Sequence, residues 1–383
     1  MNAVASTGKT RLLLLTDEME VGGTQRQIVH IAAQLDRNRF EPTVLFFRNP
    51  SFFVDELQQA GVKVIQVPKR GRIDPRFVWR LARELRRGRF DVMHCFAFSG
   101  ELWGAVARSL LPRAARPALI SSVRGTYEWY SRWHWAVKRR VSAQSSRVMA
   151  NSHMGATYAC KQMGLPERSI SVVHNGVQLP PPRETAGDDL RNRLGVPLEA
   201  LLILFVGRLV DHKDLPTLMR ATARLRAGGC PAHLIVAGDG PLRAEIEALI
   251  DQLALRDRVD LIGQRDDVPE LIAVADAVVL PSVREGLSNV ILEGMMGGKP
   301  VVASRAGGNV ELVEHERSGL LFDVGDDAGL AQAFIRLAND AGLRKRLGDG
   351  ARERALNHFS IPSMVRAYEK TYSDVVRERA TTP

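Results

Sequence analysis

Cysteine is scarce: Cys95, Cys160 and Cys230 are the only three in 383 residues, and no two form a Cys-x-x-Cys pair. An odd number of scattered thiols offers neither a disulfide framework nor a zinc-ligand set, so no metal site is expected from them. Long apolar runs are also missing. Leu12 to Leu15 and Leu201 to Val206 fall far short of the ~20 residues that cross a bilayer. Met1 to Lys9 holds no apolar stretch of signal-peptide length, which makes the cytoplasm the expected location. No low-complexity tract and no nucleic-acid-binding motif is present, so a disordered chain and a nucleic-acid partner are not expected.

What remains is an ordinary globular composition, 45% hydrophobic and 25% charged, on a chain long enough for two domains. The charge is unevenly placed. Residues 1–180 hold 27 Lys and Arg against 13 Asp and Glu, a net +14, while the remainder is net −4. One half therefore suits an anionic partner, such as a phospholipid surface, an acidic glycan or a pyrophosphate-linked lipid, although an arginine-rich surface also serves solubility alone.

Apolar runs alternate with helical patterns throughout. RLLLLTD, EPTVLFF, KVIQVP, FDVMHCF, ALISSV and SRVMANS read as strands, separated by segments such as TQRQIVHIAAQL and FVWRLARELRRG. After a proline-rich break at Leu179 to Pro182 the same rhythm resumes with LLILFVGR, AHLIVAGDG, VDLIGQ, AVVLPS, KPVVAS and GLLF. Strands spaced by crossover helices imply parallel sheets covered on both faces. The expected fold class is α/β, with two tandem doubly wound, Rossmann-like domains: residues 1–180, a linker at 181–200, residues 201–360, and a C-terminal helix over 361–383 that packs back toward the first domain.

Ligands of such sheets bind beyond the carboxyl ends of strands, so the residues after each strand carry the chemistry. Gly22-Gly23 follows the first strand and opens a helix; paired glycines admit a ligand close to the backbone, and a helix start attracts phosphate, though a bare turn would look the same. Arg208 and Lys213 follow the strand LLILFV, a planar fork and a compact charge that suit two linked phosphates; a surface ion pair with Asp211 or Asp214 is the plain alternative. Gly238 lies in a second tight exit, Gly238-Asp239-Gly240. Leu280-Pro281-Ser282 leads to Glu285-Gly286-Leu287-Ser288-Asn289, and a helix beginning near Leu287 would carry Glu293 two turns from Glu285.

In order and spacing, GGTQRQIVHIA, ANSHMGA, VVHNGV, GRLVDHKD, VAGDGP, PSVREGLSNVILEGMMGGKPVVAS and RAGGNVELVEHERSGLLF resemble the retaining GT-B glycosyltransferases of family 4, over nearly the whole chain. The resemblance implies a GT-B fold with a site in an interdomain cleft. It implies transfer of a sugar from a nucleotide-sugar donor, most often a UDP-sugar, to a glycan or lipid-linked acceptor with retention of configuration. Glu285 would face the donor sugar, with Gly286, Leu287, Ser288 and Asn289 beside the diphosphate. Glu293 would hold the ribose, and Gln264 and Arg265 would lie near the base. Arg208 and Lys213 would stabilise the departing diphosphate, so no metal and no further cofactor is expected.

The chain also departs from that pattern. Many relatives carry a histidine after the strand that here reads ALISSV, where this chain has Arg124-Gly125; Arg124 and Asn175 become candidates for acceptor contact, and His94, closing FDVMH, for a catalytic role. The segment Tyr127 to Arg140 gathers three of the five tryptophans, among them Trp129 and Trp133, with four basic residues. It suits peripheral contact with an anionic inner-membrane face, an acceptor platform or plain helix packing. A nucleotide-sugar 2-epimerase of the same architecture and a catalytically lapsed sugar-binding subunit remain alternatives.

Overall fold

A computed structural model describes residues 8–381 apart from 72–73, 126, 128, 167 and 179–187. The chain forms two compact units, residues 1–176 with 361–383, and residues 177–360.

The first unit is built from β1 (Thr10–Leu15), α1 (Gly23–Gln34), β2 (Phe40–Phe46), α2 (Phe53–Gln59), β3 (Lys63–Gln66), α3 (Pro75–Gly88), β4 (Val92–Cys95), α4 (Phe98–Ser109), β5 (Ala118–Val123), α5 (Arg132–Ser142), β6 (Arg147–Ala150), α6 (His153–Met163) and β7 (Ser171–Val172). The second unit contains α7 (Asp188–Arg193), β8 (Leu201–Val206), α8 (Leu215–Ala227), β9 (Ala232–Ala237), α9 (Arg243–Gln252), β10 (Val259–Gly263), α10 (Val268–Val274), β11 (Ala277–Leu280), α11 (Asn289–Met296), β12 (Val301–Ser304), α12 (Asn309–Leu312), β13 (Gly319–Phe322), α13 (Asp327–Asn339) and α14 (Ala341–His358). The last helix, α15 (Ile361–Thr381), returns to the first unit.

Both sheets are parallel. Their orders are β3-β2-β1-β4-β5-β6-β7 and β10-β9-β8-β11-β12-β13. Alternation along β1 explains why it reads as an unbroken apolar run. Leu12 and Leu14 enter one core with α1, α2 and α15, while Leu13 and Leu15 enter the opposite core with α3, α4 and α5. A parallel strand covered on both faces has no solvent side to keep polar. Local signals set the helix starts: Asp74 accepts from the Phe77 amide ahead of Pro75, and Ser152 accepts from the Gly155 amide.

The boundary between units lies at Gly176/Val177, and residues 188–200, expected as linker, belong to the second unit. There Leu190 and Val196 are buried in the same core as Leu202 and Leu204, and the Asp276 carboxylate accepts from Arg191 and from the Leu202 amide. The proline-rich stretch from 179 lies outside the described residues. Residues 361–381 form one helix in the first unit, where Ile361, Met364, Val365, Tyr368, Tyr372 and Val375 are buried. Among the described residues no helix is long and apolar enough to cross a membrane.

Candidate active site

In the second unit the connections run outward in opposite directions from β8 and β11, which lie side by side. Such a switch point opens a crevice at the carboxyl ends of the strands. At the four exits that meet there, after β9, β8, β11 and β12, the backbones of neighbouring loops pack directly on one another. A Cβ on Gly238 would fall 1.9 Å from the Gly207 carbonyl oxygen; on Gly307, 2.0 Å from that of Glu285; and on Gly308, 1.9 Å from that of Gly286. Gly238 and Gly307 also hold positive φ, 146° and 49°. Only glycine lets these loops nest backbone against backbone.

Across the switch point Lys213 and Glu285 meet, Nζ to Oε1 at 2.5 Å, with side chains only 15% and 12% exposed. Ser282 Oγ donates to the same carboxylate oxygen at 2.7 Å, and the Val283 amide donates to the His212 carbonyl at 2.9 Å. Lys213 therefore pairs with neither neighbouring aspartate; Asp214 instead adopts a left-handed φ of 48° and caps α8 through Thr217. Burial, reinforced by Lys213, pushes the His212 imidazole below its usual range and so favours its neutral form. Ser304 Oγ donates to the Ser282 carbonyl at 2.5 Å, and Asn309 Nδ2 donates to the Ser304 carbonyl at 3.2 Å, so the exits of β11 and β12 are cross-braced.

The helix expected near Leu287 starts at Asn289, with Ser288 as its cap, and carries a half-buried Glu293 in its second turn. Its amino end lies at the carboxyl edge of the sheet, where its partial positive charge favours an anion. Arg208 is exposed beside this group and joins no ion pair among the described residues. Gln264 and Arg265 follow β10, an edge strand two positions from β8, which places them roughly 10 Å along the sheet edge at the usual strand spacing. Arg265 forms a two-pronged pair with Asp267, at 2.8 and 2.6 Å.

The first unit has its own carboxyl edge. Gly22 caps α1 with an extended backbone, and Gly23 begins the helix. Arg124, at the exit of β5, donates to Tyr368 Oη at 3.2 Å and to Asn175 Oδ1 at 3.1 Å, and lies 5.6 Å from the Phe96 ring centroid. Asn175 is buried, and Arg124 Nε is buried without a hydrogen-bond partner. The reading of His94 as a catalytic group is corrected here. It is fully buried, with Nδ1 2.9 Å from Tyr372 Oη and Nε2 2.7 Å from Ser122 Oγ, so neither nitrogen is open to a substrate. Burial, then Arg124 and Lys138, holds it well below the usual imidazole range, as a neutral link in the core.

The aromatic segment divides. Trp135 and Lys138 of α5 are buried, whereas Trp129 and Trp133 are 66% and 58% exposed beside Arg132. Tyr127 stacks on Tyr130 with centroids 4.6 Å apart, and burial pushes both phenols up.

Ser282, Gly307 and Gly308 were not singled out in the sequence. The Gly-Gly pair after KPVVAS repeats the signal already read at Gly22-Gly23 and would have found two of the three.

This chain is similar to known glycosyltransferases in both units. The model of the glycosyl transferases group 1 family matches residues 187–354, and that of glycosyltransferase family 4 matches residues 21–179. The lipopolysaccharide core biosynthesis glycosyltransferase LpsD of Rhizobium meliloti is 30% identical, over 94% of this chain and 97% of its own. The N-acetyl-alpha-D-glucosaminyl L-malate synthase of Bacillus anthracis is 26% identical, over 86% of each. The crystal structure of Anabaena HepE in complex with UDP-glucose superposes with a TM-score of 0.83 at 26% identity, covering 95% of this chain and 99% of that one.

Proposed function

The chain belongs to the group 1 glycosyltransferases, with a GT-B fold, and from that premise we propose that it moves a sugar from a uridine diphosphate sugar to a glycan or lipid-linked acceptor, with retention of configuration and without a metal ion. The observation that carries this reading is the Lys213–Glu285 pair at the switch point, set among loops that only glycine can form. A negatively charged, chain-like ligand such as a diphosphate needs close backbone approach, a helix amino end and cations, and these three coincide there.

In this mechanism Arg208 and Lys213 neutralise the diphosphate as it leaves, which is the electrostatic work a divalent ion does in other transferases. Glu285, held by Lys213 and Ser282, is oriented toward the sugar hydroxyls and positions the ring; it is not a nucleophile. Gly286 to Asn289 line the phosphates at the start of α11, Glu293 binds the ribose, and Gln264 and Arg265 flank the base. The departing phosphate oxygen takes the acceptor proton, so attack and departure share one face and configuration is kept. Uridine is supported by the UDP-glucose bound to HepE, and a cell-surface glycan acceptor by the name of LpsD. Arg124 would meet the acceptor on the first unit; Asn175, buried with its Oδ1 accepting from Arg124, would hold that guanidinium in place and would not touch the acceptor itself. Exposed Trp129 and Trp133, in the half of net charge +14, would bring that unit to an anionic membrane surface.

Titration with UDP, GDP and ADP, followed by melting temperature with and without EDTA, tests the donor site, because a ligand that binds only the native state raises its stability. UDP alone should stabilise, equally with chelator present, and Glu293→Ala should abolish the effect. Absence of any shift with all three nucleotides overturns the reading.

A further inference from the structure

The first unit carries a second cationic site at the opposite end of its sheet. Helices there run antiparallel to the strands, so α4 and α15 end at the amino edge, near the starts of β5 and β6. A cavity of about 460 Å³ opens at this edge, lined by Arg108, Arg113, Arg116 and Arg379, with Glu378 as the only carboxylate among its described lining residues. Glu378 is paired with Arg147, and none of the four lining arginines forms an ion pair among the described residues.

Three of the four guanidinium groups are fixed by backbone carbonyls rather than by acids. Arg108 Nε donates to Pro117 O at 2.7 Å, Arg116 donates to Leu111 O at 2.9 Å and to Ser109 O at 2.8 Å, and Arg379 Nη1 donates to Asp91 O at 3.4 Å. Carbonyl anchoring fixes direction and leaves the charge uncompensated. Burial, then repulsion from Arg116 and Arg379, pushes the Arg108 guanidinium below its usual range. Cations near a helix carboxyl end complement its dipole, which accounts for Arg108 and Arg379 one at a time. Arg116, which donates to the last carbonyl of α4, is accounted for in the same way, but Arg113 is not, nor is the convergence on one cavity of four forks without a carboxylate partner among the described residues.

We propose that this cavity binds a phosphate group, presented either by a soluble phosphate or by a phospholipid headgroup, at a site separate from the donor-binding edge. A planar fork fits two phosphate oxygens at once, and the cavity is of the size that ordinary ligand sites have, ~300–1,000 Å³.

The test uses the full chain with Arg208→Ala and Lys213→Ala in place, which removes the donor-site cations and keeps failure here distinct from failure of the donor assignment. Pyrophosphate is titrated by calorimetry, and flotation is measured with vesicles of phosphatidylglycerol in phosphatidylcholine. Adding Arg113→Glu and Arg379→Glu, both on exposed side chains, should weaken binding at least tenfold, with Arg113→Gln/Arg379→Gln giving a smaller loss. Lys9→Glu/Lys63→Glu, an equal change of charge on exposed side chains elsewhere in the unit, should leave binding unchanged. Heat with pyrophosphate identifies a soluble phosphate ligand; vesicle binding alone identifies a headgroup. The proposal falls if neither probe binds, if the Arg113/Arg379 variants bind like their parent, or if the Lys9/Lys63 control loses as much.

Discussion

At the scale of single residues, Lys213 is the most exposed to test. If it neutralises the leaving diphosphate, Lys213→Ala lowers turnover by ~10² or more, measured with saturating donor, while the fold persists. Gly308→Ala acts differently. Its Cβ would enter the Gly286 carbonyl, so the variant should lose about 1–3 kcal/mol in urea unfolding and lose UDP binding with it. His30, on α1, gives a pH signature. Burial, then Arg26, lowers its pKa from 6.5 to about 4, so the folded state disfavours a proton that the unfolded chain accepts. Stability should be full above pH 6.5, decline as pH falls toward 4, and decline less in His30→Gln when melting temperature is followed. Glu285 and Lys213 were legible in the sequence because each follows a strand. Their contact was not, since 72 positions separate them and only the strand order brings them together. His94 was misread for a related reason: a strand-end histidine looks the same from the sequence whether it faces solvent or a later helix.

At the scale of elements, α15 is the informative piece. Its helical spacing was readable, but nothing in the spacing announced that Tyr368 would receive Arg124 or that Tyr372 would meet His94. Tyr372→Phe strands a buried imidazole nitrogen and should cost about 1–3 kcal/mol in denaturant unfolding. The pair between Lys138 of α5 and Glu101 of α4, 3% and 2% exposed, makes a sharper case. Lys138→Met leaves a buried carboxylate without its cation, an expected loss of about 3–5 kcal/mol, and adding Glu101→Gln should recover part of it. Strands were read more reliably than connections. Buried parallel strands are continuous apolar runs, whereas α7 is a short, charged helix whose one apolar residue, Leu190, enters the core and whose Arg191 pairs with Asp276, so it reads as linker.

At the scale of the molecule, the chain makes one unit, leaves it after Gly176, completes a second, and returns at Ile361. The two-unit α/β plan was legible because strand and helix alternate with a single proline-rich interruption; the return of the last helix depends on packing. The fragment 177–360 holds its own core and the whole Lys213–Glu285 edge, so it should fold alone and bind UDP in calorimetry, whereas 1–176 without α15 should not give a cooperative melt. In the inserted unit the Val177 amide donates to the Phe359 carbonyl at 2.8 Å, and on the other side of the same crossings a Cβ on Gly176 would lie 2.7 Å from Ile361 Cα. Entry and exit are thus neighbours, the arrangement that tolerates insertion of one domain into another. The segment between them behaves as a cartridge with a single socket: exchanging it for that of a relative requires two adjoining splices, and the whole Lys213–Glu285 edge can be transplanted without disturbing the sheet of the first unit.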